Sequence, residues 1–138
     1  MDRNEALKLA KLAEKAREAS YSPYSGFAVG AALLTESGEI FTGANIENSS
    51  YTPTVCAERV AFFTAVHGGF RDFSAIAIVG GKSGEPLSDF CPPCGVCRQV
   101  MSEFVNKDFQ IVLYNGEDVK IFTESELLPE GFSKDNLK

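Results

Sequence analysis

The sequence lacks any apolar run approaching the roughly 20 residues needed to span a bilayer, which argues against a membrane protein. Residues 1–5 lack the apolar core of a signal peptide. Basic residues are not in excess either, since the formal net charge is −6 and Lys and Arg are scattered among acidic residues. Nucleic-acid binders usually carry a basic patch, because phosphate contacts dominate their affinity. We therefore expect a soluble cytoplasmic protein that binds neither membrane nor nucleic acid, folded as a single domain over residues 1–138.

Histidine is also scarce, because His67 is the only one in the chain. It lies at the predicted end of a helix, where a cation interacts favourably with the helix dipole, and we interpret it in that way rather than as a metal ligand. Cysteine occurs four times, at positions 56, 91, 94 and 97. In a chain without a secretion signal, clustered cysteines indicate metal or redox chemistry more often than disulfides.

Hydrophobic periodicity and turn residues predict an α/β domain. The predicted elements are a helix over 4–19, a hairpin with strands over 27–35 and 39–44, a helix over 56–67, a strand over 73–79, a loop over 80–93, a helix over 95–105, strands over 109–114 and 120–122, and a short helix whose capping box begins at Thr123. The strands joined through helices should be parallel and the opening hairpin antiparallel, so the sheet is predicted to be mixed.

Two short segments carry the candidate chemistry: Cys56-Ala57-Glu58-Arg59 and Pro93-Cys94-Gly95-Val96-Cys97. Each leads into a predicted helix, whose positive dipole end lowers the pKa of a thiol. Three thiolates plus one water are typical of a catalytic zinc site, whereas a structural site is usually closed by a fourth protein ligand. Glu58 follows Cys56 by two residues, so it can face the metal-bound water without being a ligand and can supply the proton transfers of an amine hydrolysis.

Two other uses fit the cysteine spacing. Cys94-x-x-Cys97 also matches a thioredoxin-like redox pair. Cys91 could join the other three cysteines in a closed four-thiolate structural zinc site. Neither alternative gives Glu58 a role, and we interpret Cys91 as a free, partly buried thiol near the site.

The sequence resembles the small homotetrameric zinc-dependent cytidine deaminases along nearly its whole length. The matching blocks, in chain order, are Tyr21-Ser22-Pro23-Tyr24-Ser25, Val29-Gly30-Ala31-Ala32-Leu33-Leu34, Gly43-Ala44-Asn45-Ile46-Glu47-Asn48, Cys56-Ala57-Glu58-Arg59, Pro93-Cys94-Gly95-Val96-Cys97-Arg98-Gln99-Val100 and Glu126-Leu127-Leu128-Pro129. A metal set of cysteines, a nearby glutamate that is not a ligand and a Pro-Cys-x-x-Cys segment are the known signature of zinc deaminases. The resemblance implies a three-layer cytidine-deaminase-like α/β fold, with a mixed sheet and helices on both faces.

The resemblance also implies hydrolysis of free cytidine and deoxycytidine to uridine and deoxyuridine with release of ammonia, a reaction of pyrimidine salvage. Cys56, Cys94 and Cys97 match the ligands of one Zn²⁺ per chain, and a hydroxide formed there would attack C4 while Glu58 shuttles protons. Arg59 has a role that can be argued from charge alone. Three thiolates carry three negative charges, one more than the two positive charges of zinc. An arginine that donates to the thiolates would withdraw that charge and restore the acidity of the metal.

Other residues match substrate contacts of the resembled family. Asn45 and Glu47 match residues that bind the ribose 3′-hydroxyl, Phe27 matches an aromatic that packs near the base, and the backbone at Ala57 matches a contact to the pyrimidine carbonyl. Tyr51 and Phe132 match positions where a neighbouring chain reaches the nucleoside, which implies a homotetramer with active sites shared between subunits.

Three alternative functions stay open at this stage. A deaminase of another small cytosine-bearing compound, such as an aminoacyl-nucleoside antibiotic, is disfavoured by Arg59 and by the pair Asn45 and Glu47. A nucleic-acid editor is disfavoured by the negative net charge. A non-catalytic, zinc-stabilised module would differ from an enzyme in whether the fourth coordination position holds water.

Overall fold

The structure, a computed structural model, describes residues 1–138 and contains one five-stranded sheet. The strands are β1 (Phe27–Thr35), β2 (Ile40–Ala44), β3 (Phe73–Lys82), β4 (Gln110–Tyr114) and β5 (Val119–Thr123). The helices are α1 (Arg3–Ala16), α2 (Ala57–His67), α3 (Gly95–Phe104) and α4 (Glu124–Leu127), with 3₁₀ turns at Arg17–Ala19 and Lys134–Leu137. None of the helices combines the length and the apolar character that a membrane crossing requires.

The sheet is mixed, as the sequence predicts. Its strand order is β2-β1-β3-β4-β5, in which β1 lies antiparallel to both β2 and β3. The strand β4 is parallel to β3, to which α3 connects it, and β5 closes the far edge antiparallel to β4. The fold class predicted from the sequence is therefore confirmed.

Helices cover both faces of the sheet because alternate residues of the central strands point to opposite sides. Ala31 and Leu33 of β1 face a cluster that contains Phe62 of α2 and Met101 of α3. Ala32, between them, faces the buried alanines of α1 on the other side. Burial on both faces explains why β1 and β3 are almost continuously apolar.

Two glycines let helices approach the sheet closely. A Cβ at Gly30 would lie 2.1 Å from the backbone oxygen of Ala13, on α1. A Cβ at Gly43 would lie 2.4 Å from the backbone oxygen of Ala57, in the first turn of α2. The absent side chain at Gly43 therefore positions the start of α2, which carries the Cys56-Ala57-Glu58-Arg59 segment, directly over β2.

Two predicted boundaries were wrong, and one short turn was not predicted. The helix predicted to reach Ala19 ends at Ala16 and tightens into a 3₁₀ turn. The strand predicted to stop at Val79 continues to Lys82, because the backbone of 80–82 pairs with β1 although its glycines leave no hydrophobic pattern to read. The sequence reading also missed the last 3₁₀ turn, which begins at a capping box of Ser133 and Asn136. These differences leave the candidate site segments in place.

Candidate functional site

The three cysteines predicted to bind metal come together at the starts of two helices. Cys56 is the N-cap of α2, Cys94 is the N-cap of α3, and Cys97 lies in the first turn of α3. Their sulfur atoms all lie within 4.8 Å of one another, and those of Cys56 and Cys94 are 3.8 Å apart. Residues that are 38 positions apart in the sequence thus form one cluster because α2 and α3 pack side by side on the same face of the sheet.

The donor set of this cluster fits zinc. Two sulfur ligands of a tetrahedral zinc, each bound at about 2.3 Å, lie about 3.8 Å apart. The sulfurs of Cys56 and Cys94 already show that separation. Hydrogen bonding from Cys97 and from Arg59 lowers the pKa of the Cys56 thiol to about 5, which favours the thiolate that binds metal.

Cys91 does not belong to the cluster of the three sulfur atoms. It is half-buried, and burial raises the pKa of its thiol to about 11. The four-thiolate alternative is therefore not the arrangement that this fold builds. Cys91 instead lines a cavity beside the cluster.

Arg59 lies beside the thiols, as expected for a cation that offsets their negative charge. Its Nη2 atom is 3.4 Å from the sulfur of Cys56. Hydrogen bonding to Cys56 and Cys97 raises the pKa of the guanidinium. Its Nε atom is buried without any hydrogen-bond partner, so the side chain is held by the thiols and by packing.

Glu58 is the acidic residue nearest in sequence to the cluster, and its side chain is only 4% exposed. Burial raises the pKa of its carboxyl to about 7. A carboxyl with a pKa near neutrality can both accept and release a proton at physiological pH. Glu58 lines the same cavity as Cys56 and Cys94, so its proton can reach a ligand bound there.

That cavity is small and mostly apolar. It has a volume of about 170 Å³ and is lined by Val29, Asn45, Thr54, Val55, Cys56, Ala57, Glu58, Cys91, Pro92 and Cys94. A second depression of about 370 Å³, lined by Tyr24, Ser25, Glu47, Tyr51 and Thr54, adjoins it through Thr54. The first cavity is an apolar recess beside the three thiols, and the second is a polar depression that continues it. Together they suit a ligand made of a flat ring attached to a polar group.

Asn45 and Glu47 hold the loops around these two cavities. The side-chain oxygen of Asn45 accepts from the backbone N–H of Val29 at 2.9 Å, and its Nδ2 donates to the carbonyl of Phe27 at 2.9 Å. One N–H of the amide stays available to a ligand. Glu47 accepts from the backbone N–H groups of Tyr24 and Ser25 and from the Ser25 hydroxyl, and that hydroxyl lowers the pKa of its carboxyl.

The three predicted aromatic residues are exposed to different extents. Phe27 begins β1, is 41% exposed and lines neither cavity. Tyr51 is 71% exposed, has a positive φ of 64°, and packs edge to face against Tyr24. Phe132 is 60% exposed and lines neither cavity of its own chain.

Sequence reasoning missed several residues that line the first cavity: Val29, Thr54, Val55 and Pro92. For three of them, a place near the site could have been predicted from the sequence. Thr54 and Val55 directly precede Cys56, and Pro92 lies two residues before Cys94. Val29 gave no local signal, since its place at the cavity follows from the packing of α2 and α3 on β1.

Comparisons with known proteins agree with this geometry. The family described as "Cytidine and deoxycytidylate deaminase zinc-binding region" matches residues 3–113. A cytidine deaminase of Sporosarcina psychrophila is 51% identical over 131 residues, which cover 94% of this chain and 93% of that protein. One of Halalkalibacterium halodurans is 48% identical over 130 residues, which cover 94% and 95%.

Solved structures agree with the sequence comparisons. The crystal structure of a cytidine deaminase from Burkholderia pseudomallei superimposes with a TM-score of 0.83 at 44% identity, covering 96% of this chain and all of that one. The region matched by the family, residues 3–113, includes both segments that carry the clustered thiols. The chain therefore belongs to the family of cytidine and deoxycytidylate deaminases that share this zinc-binding region.

Proposed function

We propose that the protein hydrolyses the 4-amino group of free cytidine and deoxycytidine, giving uridine and deoxyuridine and releasing ammonia. The observation that carries this proposal is the placement of the buried carboxyl of Glu58 in one cavity with Cys56 and Cys94 of the thiol cluster. The reaction belongs to pyrimidine salvage in the cytoplasm, and the proposed assembly is a homotetramer.

Cys56, Cys94 and Cys97 are the residues that would hold one zinc ion per chain, and two of them, Cys56 and Cys94, line the cavity. When bound, zinc supplies the Lewis acidity that makes water a nucleophile near neutral pH. Glu58 takes a proton from the attacking water and delivers it to N3 of the ring. It then takes the proton of the hydroxyl now bonded to C4 and passes it to the departing nitrogen, so that ammonia leaves and the C4 carbonyl forms. Burial suits Glu58 to this role because water does not compete for its proton.

The substrate contacts are also proposals. The base would enter the apolar cavity, with its carbonyl oxygen accepting a hydrogen bond from the backbone at Ala57 and with Phe27 packing beside the ring. The ribose would lie in the polar depression, with its 3′-hydroxyl between Asn45 and Glu47. Both residues keep hydrogen-bonding capacity for it beyond their contacts within the protein.

The direct test is to incubate the zinc-loaded protein with cytidine and to measure uridine by chromatography and ammonia by a coupled assay. We expect stoichiometric formation of both products, and loss of both after zinc is removed with a chelator. Absence of turnover by fully zinc-loaded protein would refute the proposal. Turnover of an aminoacyl-nucleoside antibiotic without turnover of cytidine would favour that alternative substrate.

Arg59→Gln should lower turnover by about 10–100-fold, the usual range for groups that act on a metal through its ligands. The substitution removes the cation that offsets the excess negative charge of three thiolates. Cys56→His should then restore part of the lost activity, because a neutral imidazole removes the same excess charge. Steady-state kinetics of both single variants and the double variant, at matched zinc content, measures this coupling.

Arg71→Gln is the matched control, since this exposed arginine donates only to backbone carbonyls far from the cavity. Its turnover should equal that of the unaltered protein. If the losses of Arg59→Gln and Cys56→His simply add, Arg59 is a structural residue and the charge argument is wrong.

Phe132→Ala should weaken nucleoside binding by about 1–3 kcal/mol, the range known for aromatic rings that stack on bases. Phe132 lines neither of the two cavities of the site and is 60% exposed, so we propose that it reaches the nucleoside of a neighbouring subunit. Calorimetric titration with a nucleoside measures the effect. Leu137→Ala is the control, since it truncates another exposed apolar side chain of the same segment.

A shared site also predicts that dilution to monomers abolishes activity. Light scattering and turnover measured over the same concentration range test this prediction together. A fully active monomer would contradict the shared site and would leave Phe132 without its proposed role.

A further inference from the structure

The cavity beside the thiol cluster has two opposite walls, one on the side of β2 and the other on the side of β3. Antiparallel pairing places Gly43 of β2 opposite Ala31, and Gly80 of β3 opposite Val29. Ala31 and Val29 are two residues apart on β1, so all four residues point to the same face of the sheet. Val29 lines the cavity, which therefore lies over β1, with β2 on one side and β3 on the other.

The wall on the β2 side is the first turn of α2. A Cβ at Gly43 would lie 2.4 Å from the backbone oxygen of Ala57, so this turn is packed directly against β2. Ala57 and Glu58, which we propose to bind the carbonyl edge and N3 of the base, belong to this wall.

The wall on the β3 side is formed by Cys91 and Pro92. A Cβ at Gly80 would lie 2.7 Å from the sulfur of Cys91 and 3.0 Å from Cε1 of Phe27. Because Gly80 has no side chain, the thiol of Cys91 packs directly against the backbone of β3. Neighbouring strands are about 4.8 Å apart, which separates the two walls by roughly 10 Å across the sheet.

The positions of the atoms in the cytosine ring determine which edge of the ring faces which wall of the cavity. On the axis from N1 to C4, the carbonyl at C2 and N3 lie on one side of the ring and C5 and C6 lie on the other. A base that presents C4 to the thiol cluster and its carbonyl edge to Ala57 therefore presents C5 and C6 to the opposite wall. The side chain on that wall nearest the sheet is Cys91.

We infer that Cys91 is a specificity-determining residue, whose side-chain volume sets the size of substituent that the enzyme accepts at C5 of the pyrimidine. This inference rests on the proposed function and on the proposed orientation of the base. Because Gly80 has no side chain, the thiol lies as far back against β3 as the sheet allows. Any larger side chain at position 91 has to extend towards the ring, since the space behind it is closed by the backbone.

The test compares cytidine with 5-methylcytidine on Cys91→Ala and Cys91→Leu. A methyl-sized change in an apolar pocket alters discrimination by about 10–200-fold. We expect the ratio of kcat/KM for 5-methylcytidine to that for cytidine to rise at least about 10-fold in Cys91→Ala and to fall by a similar factor in Cys91→Leu. Because both substrates are measured on one preparation, a change in the fraction of active protein cancels from the ratio.

Two controls make the result specific to this wall. Val55→Ala truncates a residue that lines the same cavity next to Cys56, and it should leave the ratio within about two-fold. The ratio for deoxycytidine to cytidine should not move in either Cys91 variant, because the 2′ position is remote from C5. If Cys91→Leu has no measurable activity, Cys91→Val is the smaller enlargement to compare.

A ratio that stays constant in the variants of Cys91, while the unaltered protein deaminates cytidine, would overturn this inference and leave the proposed function standing. A ratio that changes equally in Val55→Ala would also overturn it, because the effect would then belong to the cavity as a whole. Failure of the unaltered protein to deaminate cytidine would instead refute the proposed function itself.

Discussion

Glu58→Gln should retain zinc and nucleoside binding but lose about 10²–10⁴-fold in turnover, the usual contribution of a general acid–base group. The amide keeps the shape of the side chain, which fits a position only 4% exposed. It cannot carry a proton from the attacking water to the ring and then to the departing nitrogen. The variant therefore separates proton transfer from folding and metal binding. Turnover from ammonia release, zinc content from elemental analysis and nucleoside affinity from calorimetry measure the three properties.

Glu124→Gln is the matched control for this prediction. Glu124 is also a buried acid, 8% exposed, but it lies in α4 and lines neither of the two cavities of the site. Its substitution should leave kcat unchanged. If Glu58→Gln turned over cytidine within about ten-fold of the unaltered protein at equal zinc content, another group would have to move the protons.

Gly43→Ala should lower both stability and turnover, because it forces α2 away from the sheet. The new Cβ would lie 2.4 Å from the backbone oxygen of Ala57 and 2.7 Å from the backbone nitrogen of Ala61, so no side-chain rotation relieves the clash. Overpacking of this kind costs about 1–3 kcal/mol and sometimes more. The shift would also displace Cys56 and Glu58, which belong to the same helix start. Thermal unfolding and turnover per bound zinc measure the two effects.

Gly68→Ala is the matched control for the effect of a methyl group. Gly68 ends α2 with a φ of −76°, and a Cβ there would meet no atom closer than 3.4 Å. Its unfolding free energy should change by less than about 1 kcal/mol. A variant Gly43→Ala as stable and active as Gly68→Ala would mean that the contact between α2 and β2 relaxes at no cost.

Local signals in the sequence were enough to predict the main helices and strands and the cluster of three thiols. Cys56 and Cys94 were expected at helix starts and are the N-caps of α2 and α3. The capping box at Thr123 was also confirmed. Such features succeed because each depends on residues within one turn of a helix, where spacing in the sequence is spacing in the structure. The boundary at Gly80 failed because a glycine leaves no side-chain pattern, and its strand partners lie some 50 positions earlier in the chain.

By itself, the sequence determined the chemical groups of the site: three thiols, a carboxyl two residues after the first thiol, and an arginine beside it. Only the tertiary structure decided how these groups are arranged. Cys91 has the same spacing to Cys94 as Cys94 has to Cys97, yet it lies outside the metal cluster and against Gly80. The reason is physical: the order β2-β1-β3 and the packing of two helices on one face set which side chains meet, and these contacts join segments that are distant in the chain.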